Sequence, residues 1–178
     1  HTPHLRFSLR LAASTIGDEG IQAIAGVLHK VPELECLVLG RHYMRYSAAK
    51  QLAPCLKFVP RLTHLAFGCY SWDGMPIVER LTDLPELKQL GMARGLTSEL
   101  IGLLGQQLRL LPKLSRLMLD RTHLNGDTLR ELATMVKTVL SLKYISISAS
   151  RLNYQPKCAS NLEPRWRRKG FERLRVCQ

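Results

Sequence analysis

The feature of this sequence that most constrains its fold is a leucine-rich phrase that returns at a nearly constant interval. The phrase "PELECLVLG" carries the pattern LxxLxL, and the pattern returns in "PRLTHLAFG", "PELKQLGMA", "PKLSRLMLD" and, with isoleucine, "LSLKYISIS". Its last position recurs after 28, 28, 25, 27 and 28 residues, at Leu11, Leu39, Phe67, Met92, Leu119 and Ile147. Six phased copies indicate a repeat architecture, in which each unit buries its apolar residues against its neighbours.

Each period predicts one short strand followed by one helix. The apolar spacing changes within the period from about two residues, as in a strand, to about 3.6 residues, as in an amphipathic helix. The third helix is predicted to be short, because its unit lacks three residues and carries Pro76 near the helix start. The predicted helices span residues 18–29, 47–58, 76–81, 98–111 and 125–140, with Asp18, Ser47, Ser98 and Asp127 as helix-start signals.

These elements predict an α/β fold with one aliphatic core. Trp72 occupies the position in its unit that Ile16 and Met44 occupy in theirs, so we predict that it is a core residue. The alternative is that Trp72 is an exposed anchor for a partner.

The segment "LRLAASTIGDEGIQAIAGVLHKVPELECLVLG" resembles the ribonuclease-inhibitor-like subclass of leucine-rich repeat proteins, in its 28-residue unit and in its "IGDEGI" helix start. The resemblance covers residues 5–152. It implies a curved solenoid of about five and a half repeats, with a parallel β-sheet on the concave face and helices on the convex face. It also implies an intracellular, cytoplasmic protein. Proteins with this type of repeat include ribonuclease inhibitors, GTPase activators of the Ran type and the sensor repeats of nucleotide-binding innate immune receptors. A fragment without its own N-terminal cap suits the receptor repeats, which sense ligands or hold the receptor inactive, best. An organellar location stays open.

The chain divides into a repeat domain, residues 1–152, and a basic tail, residues 153–178. The whole chain has a net charge of +12, and residues 151–178 supply +6 of it from eight basic and two acidic side chains. The apolar residues of the tail predict a short amphipathic helix that caps the open end of the stack. Arginine interleaved with aromatic residues is also typical of nucleic-acid binding, for which the candidates are Arg165, Arg167, Arg168 and Lys169.

No catalytic or metal-binding motif accompanies the repeats. The five cysteines form no CxxC pair, and the six histidines have no ligand spacing. No stretch reaches the ~18 apolar residues of a membrane helix. We therefore expect no enzyme activity, cofactor, small-molecule substrate or membrane span. Because the chain begins with histidine, we interpret it as part of a larger chain or complex.

The residues that alternate with the strand leucines are predicted to line the concave sheet. In the middle repeats many are glycine or alanine, which leaves either a channel for a partner's helix or loop, or merely room for tight curvature. Just beyond the strands, Arg41, Arg94 and Arg121 are predicted to form a rim suited to carboxylates or phosphates. The predicted protein-binding residues are Arg41, His64, Arg94, Arg116, Met118, Asp120, Arg121 and Tyr144.

This set predicts a non-catalytic protein–protein interaction module, a scaffold that binds a protein partner or its own parent chain through the concave sheet and the arginine rim. The alternative is a structural subunit of a ribonucleoprotein or other large, organellar assembly that contacts RNA through the basic tail. Salt separates the two, because binding to phosphates weakens steeply as the salt concentration rises.

Overall fold

Seven strands form one parallel sheet, in which they lie side by side in the order of the sequence. The computed structural model describes residues 7–11, 16–94, 96–120, 125–148 and 173–177 and, within these ranges, all side chains except those of residues 40–43, 148 and 173–177. The strands are β1 Phe7–Arg10, β2 Leu34–Met44, β3 His64–Cys69, β4 Gln89–Ala93, β5 Arg116–Asp120, β6 Tyr144–Ser148 and β7 Arg173–Cys177.

Five helices connect the first six strands, and the predicted α/β class is confirmed. They are α1 Gly17–Val27, α2 Tyr46–Leu52, α3 Met75–Glu79, α4 Ser98–Leu108 and α5 Gly126–Thr138. Because neighbouring strands are parallel, the chain must return to the starting edge of the sheet between them, and a helix makes that return. The helices pack against one another in sequence order. With five residues, α3 is short, as predicted.

One continuous aliphatic core lies between the sheet and the helices. Its sheet side is a ladder of residues that pair from strand to strand, Leu37, Leu65, Leu90, Leu117 and Ile145, and all five are buried. Each helix adds at least one fully buried side chain, namely Ile21, Leu52, Ile77, Leu104 and Leu132. Each unit, meaning a strand and the helix that follows it, therefore buries its apolar residues against the next unit.

The recurring prolines lie in a turn that the units share. After α1, the N–H of Val31 donates to the carbonyl of Leu28 (3.1 Å), and the N–H of Leu34 donates to the carbonyl of Val31 (3.0 Å). Between these two donors stands Pro32, at a place where the turn uses no N–H, so proline is tolerated there. The same pair of hydrogen bonds recurs around the other three prolines, at Val59 and Leu62, Leu84 and Leu87, and Leu111 and Leu114.

Two helices begin with a side-chain cap one or two residues before the predicted start signal. The backbone of Thr97 is extended, and its Oγ1 accepts a hydrogen bond from the N–H of Leu100 (3.2 Å), so Thr97 rather than Ser98 caps α4. Asn125 caps α5 in the same way, and the predicted Asp127 lies inside the helix. The prediction was wrong because the cap is set by the residue whose backbone is still extended.

The other two predicted helix starts also lie inside their helices. Ser47 is the second residue of α2, which follows Arg45 without a side-chain cap. Asp18 lies in the first turn of α1, where its Oδ1 accepts the N–H of Arg45 (3.2 Å). Asp18 thus connects the start of one helix to the start of the next.

Trp72 is exposed, which contradicts its predicted place in the core. After β3 the chain forms a 3-10 helix at Ser71–Gly74, and 47% of Trp72 is exposed. The interior beside this turn is already filled, because a Cβ added at Gly74 would lie 2.6 Å from the Sγ of Cys69. In the sheet, Met44 pairs with Cys69. Cys69 therefore holds the core position that the repeat alignment gave to tryptophan.

The last part of the tail is a strand rather than the predicted helix. Residues Arg173–Cys177 form β7, in which Leu174 pairs with Ile145 and Val176 pairs with Ile147. At these residues the tail extends the sheet by one strand. The rest of the predicted helical cap lies outside the described residues.

Replacing Leu117 by alanine should lower the free energy of unfolding by roughly 2 to 5 kcal/mol, because its fully buried side chain packs between the equivalent residues of β4 and β6. Urea unfolding followed by circular dichroism measures the change. Leu110→Ala is the matched control, because 65% of Leu110 is exposed, and its effect should stay below about 0.5 kcal/mol. Equal losses in the two variants would contradict the ladder.

Candidate functional site

The sheet has one face toward the helices and one face away from them. Side chains alternate along a strand, so in β3 Leu65 and Phe67 enter the core while His64 and Ala66 lie on the opposite face, where they are partly exposed. We call this second surface the open face, because no helix of the described ranges packs on it. Its described positions are Ser8, Arg10, Cys36, Val38, His64, Ala66, Gly68, Gln89, Gly91, Ala93, Arg116, Met118, Asp120, Tyr144 and Ser146.

Five of the eight predicted protein-binding residues lie on the open face. They are Arg116, which is exposed, and His64, Met118, Asp120 and Tyr144, which are partly exposed. The register brings three of them together, because Arg116 pairs with Tyr144 across β5 and β6, and Met118 lies two residues further along β5.

Of the three arginines in the predicted rim, the structure describes the side chain of Arg94 alone. Arg94 follows β4 with a φ of +61°, and its N–H donates to the carbonyl of Asp120 (2.9 Å). Arg41 lies in β2, but its side chain lies outside the described ones, and Arg121 lies outside the described residues. The four candidate nucleic-acid-binding residues Arg165, Arg167, Arg168 and Lys169 also lie outside them. The rim and the nucleic-acid contact stay predictions.

Hydrogen bonds order two parts of the open face. The Nε2 of Gln89 donates to the Sδ of Met118 (3.0 Å), which connects side chains of β4 and β5. At the start of β3, the hydroxyl of Thr63 donates to the carbonyl of Glu35 (2.9 Å) and lies 2.7 Å from the Nδ1 of His64.

On the open face, β3 and β4 approach each other closely at Ala66 and Gly91. A Cβ added at Gly91 would lie 2.9 Å from the Cβ of Ala66, although adjacent strands are usually ~4.8 Å apart. The sequence left two explanations for the small residues of this face, a channel for a partner or room for tight curvature. At Gly91 and Ala66 the close approach of the two strands is a sufficient reason for the small side chains.

Three exposed aromatic residues lie at the edge where β2 and β3 end, and the sequence reading missed two of them. Tyr46 begins α2, while Tyr70 and Trp72 lie just after β3, and about half of each residue is exposed. The turn between Tyr70 and Trp72 contains Ser71 with a φ of +38°, a conformation that costs a non-glycine residue free energy. The only sequence signal for these exposed aromatic residues was the shortened third unit, which shifts the residues after β3 relative to the equivalent residues of the other units.

The opposite edge of the sheet carries alternating charges. Glu33, Arg61, Glu86 and Lys113 precede four successive strands, and Arg61 pairs with Glu33 while Lys113 pairs with Glu86. The hydrogen bond from Lys113 lowers the pKa of the exposed Glu86 carboxyl. A shallow groove of about 770 Å³ lies at this edge, lined by Glu35, Pro60, Arg61, Thr63, Pro85, Glu86 and Lys88.

Within the described ranges, no three histidine, cysteine, aspartate or glutamate side chains come close enough to hold a metal ion. No helix there is both long enough and apolar enough to cross a bilayer.

No protein-family model matches the chain, and no curated protein sequence matches it. Among solved structures, the chain is similar to "Leiomodin-1 Actin-Binding Site 2 (ABS2)", with a TM-score of 0.53 and 12% sequence identity. The similarity covers 93% of this chain and 80% of that chain. At this identity the likeness concerns the fold alone.

Gly91→Ala should destabilise the protein by roughly 1 to 3 kcal/mol, because the new Cβ meets that of Ala66. Adding Ala66→Gly should restore most of the loss, because it removes the opposing atom, although Ala66→Gly alone lowers stability. Urea unfolding of the two single variants and the double variant gives the coupling free energy. Additive effects would contradict the close approach of β3 and β4.

Cys69 should resist alkylation in the folded protein. Burial, and secondarily the charge of Asp73, raises the pKa of its thiol to about 12, against a hydrogen bond from the backbone of Gly74 that lowers it. Iodoacetamide at pH 8.5 should modify the partly exposed Cys55 first, and both thiols at similar rates after unfolding in urea. Peptide mass spectrometry measures the two rates. Equal rates in the folded protein would show that Cys69 is accessible.

The same thiol predicts how stability changes with pH. Its pKa is higher in the folded protein, about 12, than the ordinary value of 9.0, so the unfolded chain loses this proton first as the pH rises. The contribution of the thiol is therefore constant below pH 9.0 and is lost above it, at up to about 1.4 kcal/mol per pH unit. Stability measured against pH for the wild type and Cys69→Ala isolates this slope.

Proposed function

We propose that this chain is a non-catalytic protein-interaction module of the leucine-rich repeat type, a curved solenoid that binds a protein partner through its open face. The proposal of a solenoid is supported by the regular unit, which repeats a strand, a helix and the same proline turn. It is also supported by the close approach of β3 and β4 at Gly91. Stacked units of this kind leave one face of the sheet free along its whole length.

The observation that carries the binding role is the composition of the open face at β5 and β6. Arg116, Met118 and Tyr144 lie together there, and arginine, methionine and tyrosine are enriched where proteins bind one another. No helix of the described ranges covers them. A binding role is the most economical reason for leaving such side chains at the surface of the sheet.

The similar solved structure is named for an actin-binding site, and that name concerns leiomodin-1. The likeness concerns the fold alone, and the binding role proposed for this chain rests on its open face. A ligand-sensing or autoinhibitory role within an intracellular receptor is the form of this function that the repeat resemblance favours. RNA binding through the basic tail is the competing role, and it is an outcome of the experiment below.

A photo-activatable benzoylphenylalanine placed at Ser146 of the open face should give protein adducts when the full chain is irradiated in cells, because a partner bound to β5 and β6 lies within reach of that position. The matched control is the same residue at Gln106, which is exposed on α4. Gel electrophoresis and mass spectrometry identify the adducts.

The proposal predicts that the adducts at position 146 decrease about tenfold or more in an Arg116→Ala, Tyr144→Ala background, since truncating two central interface residues costs at least ~1.4 kcal/mol. Equal adducts at positions 146 and 106 would show that the contact is not specific to the open face. Adducts that disappear with ribonuclease would favour the RNA role instead.

A further inference from the structure

We propose that two copies of this chain associate through the outer side of the first unit, with β1 of one copy antiparallel to β1 of the other. This surface, which we call the end face, consists of the outer edge of β1, the side of α1 that lies away from α2, and Val31. It is separate from the open face, so the inference goes beyond the proposed function and does not rest on it.

The end face exposes apolar positions that are buried in the next unit. Val31 is 39% exposed, whereas Val59, one interval of 28 residues later, is fully buried. The same contrast holds for three partly exposed residues, Leu9, Leu11 and Ile24, whose buried equivalents are Leu37, Leu39 and Leu52. The second unit is buried at these positions because the first unit packs against it. The end face therefore has the composition of a contact between two units.

The side of α1 that belongs to the end face is uncharged. Asp18, in the first turn of α1, accepts a hydrogen bond from the N–H of Arg45 (3.2 Å). The ring of His29, just after α1, lies edge-on to that of Phe58 (6.3 Å between centroids). Both contacts lie toward the second unit, and at about 100° per residue the opposite side of the helix carries Gly20, Ala23, Ile24 and Val27. The end of a solenoid that stays in water needs a polar surface, so this composition indicates a covered one.

The outer edge of β1 offers backbone groups to one more strand. Within the described ranges β1 is the first strand of the sheet, and its neighbour is β2. The N–H of Leu11 donates to the carbonyl of Val38 (2.8 Å), and alternate residues of a strand direct their backbone groups to the same side. The groups of Leu9 are therefore directed to β2, and those of Ser8 and Arg10 point outward. Another strand satisfies such an edge.

An antiparallel pair centred on Leu9 fits these outward groups. Ser8 of one copy then lies opposite Arg10 of the other, and the two residues exchange both backbone hydrogen bonds. On the core side Leu9 meets its own equivalent, and Phe7, which is 53% exposed, meets Leu11. A pair centred on Arg10 would instead place two arginines opposite each other, which is unfavourable. In the register centred on Leu9, the edge of β1 is complementary to itself.

The two ends of the described sheet favour this symmetric contact over a head-to-tail one. At the other end, β7 pairs with β6, and Ile145 and Ile147 of β6 are already buried. A head-to-tail contact needs two different complementary surfaces, whereas a two-fold contact uses the same surface twice. Because the two-fold axis is perpendicular to the sheet, the open faces of both copies lie on the same side of the dimer.

Sedimentation equilibrium of the full chain over a range of concentrations tests the inference. The mass should rise from 20.2 kDa to twice that value and stop there. A mass of 20.2 kDa at every concentration would overturn the inference. A mass that continues to grow beyond the dimer would also overturn it, because a head-to-tail contact that does not close gives open chains.

Two lysine substitutions show whether the contact is the end face. Val27→Lys should weaken the dimer at least about tenfold, because it places a charge from each copy in an apolar contact. Leu110→Lys is the matched control, because Leu110 is 65% exposed after α4, and it should change the affinity by less than about twofold. Far-UV circular dichroism checks that both variants are folded. Equal losses in the two variants would show that net charge, and not the end face, governs the association.

Cysteines placed in β1 test the register independently of the lysine variants. In the register centred on Leu9, the Cα atoms of the two Leu9 residues are ~4.5 Å apart, within the range of a disulfide, while those of the two Leu11 residues are ~14 Å apart. Oxidised glutathione should therefore link Leu9→Cys into covalent dimers at least about tenfold faster than Leu11→Cys. Non-reducing gel electrophoresis measures both rates against that of the wild type. Equal rates, or a faster link at position 11, would rule out the antiparallel pair.

Discussion

The packing of aliphatic side chains between successive strands is the constraint on which the rest of this structure depends. A single unit has a strand of four to eleven residues and one short helix, which is too little to enclose a core. In the ladder from Leu37 to Ile145, each side chain is buried because it packs against the equivalent side chains of the neighbouring strands. This packing between neighbouring units determines the order of the strands, their parallel direction and the position of the helices.

The candidate site is a by-product of the same packing. The helices of the described ranges pack on the core side of the sheet, so none of them covers the alternate strand positions on the other side. At Gly91 and Ala66 the close approach of two strands restricts those positions. At β5 and β6 these positions carry Arg116 and Tyr144.

The sequence predicted the ladder well because a leucine period reports directly on which residues stack. Phe67, Met92, Leu119 and Ile147 pair in register as the alignment requires. It failed at Trp72 because β2 has three more residues than β3 between paired positions, which shifts the equivalence from Trp72 to Cys69. The strand in the tail was missed although "RLRVC" alternates polar and apolar residues, since the surrounding arginines favoured a helical or nucleic-acid reading. Five binding residues could be placed on the open face by counting from the leucines, whereas the exposure of Tyr46 and Tyr70 depends on turn geometry that a spacing pattern does not contain.

The alternating ion pairs at the edge where the strands begin affect how such a chain can lengthen by duplication of its units. Glu33 meets Arg61 and Glu86 meets Lys113, so the charge sign changes from one unit to the next. A duplication of one unit would set two like charges side by side, while a duplication of two adjacent units would preserve the alternation. Each exposed pair is worth less than about 1 kcal/mol, so the preference is mild.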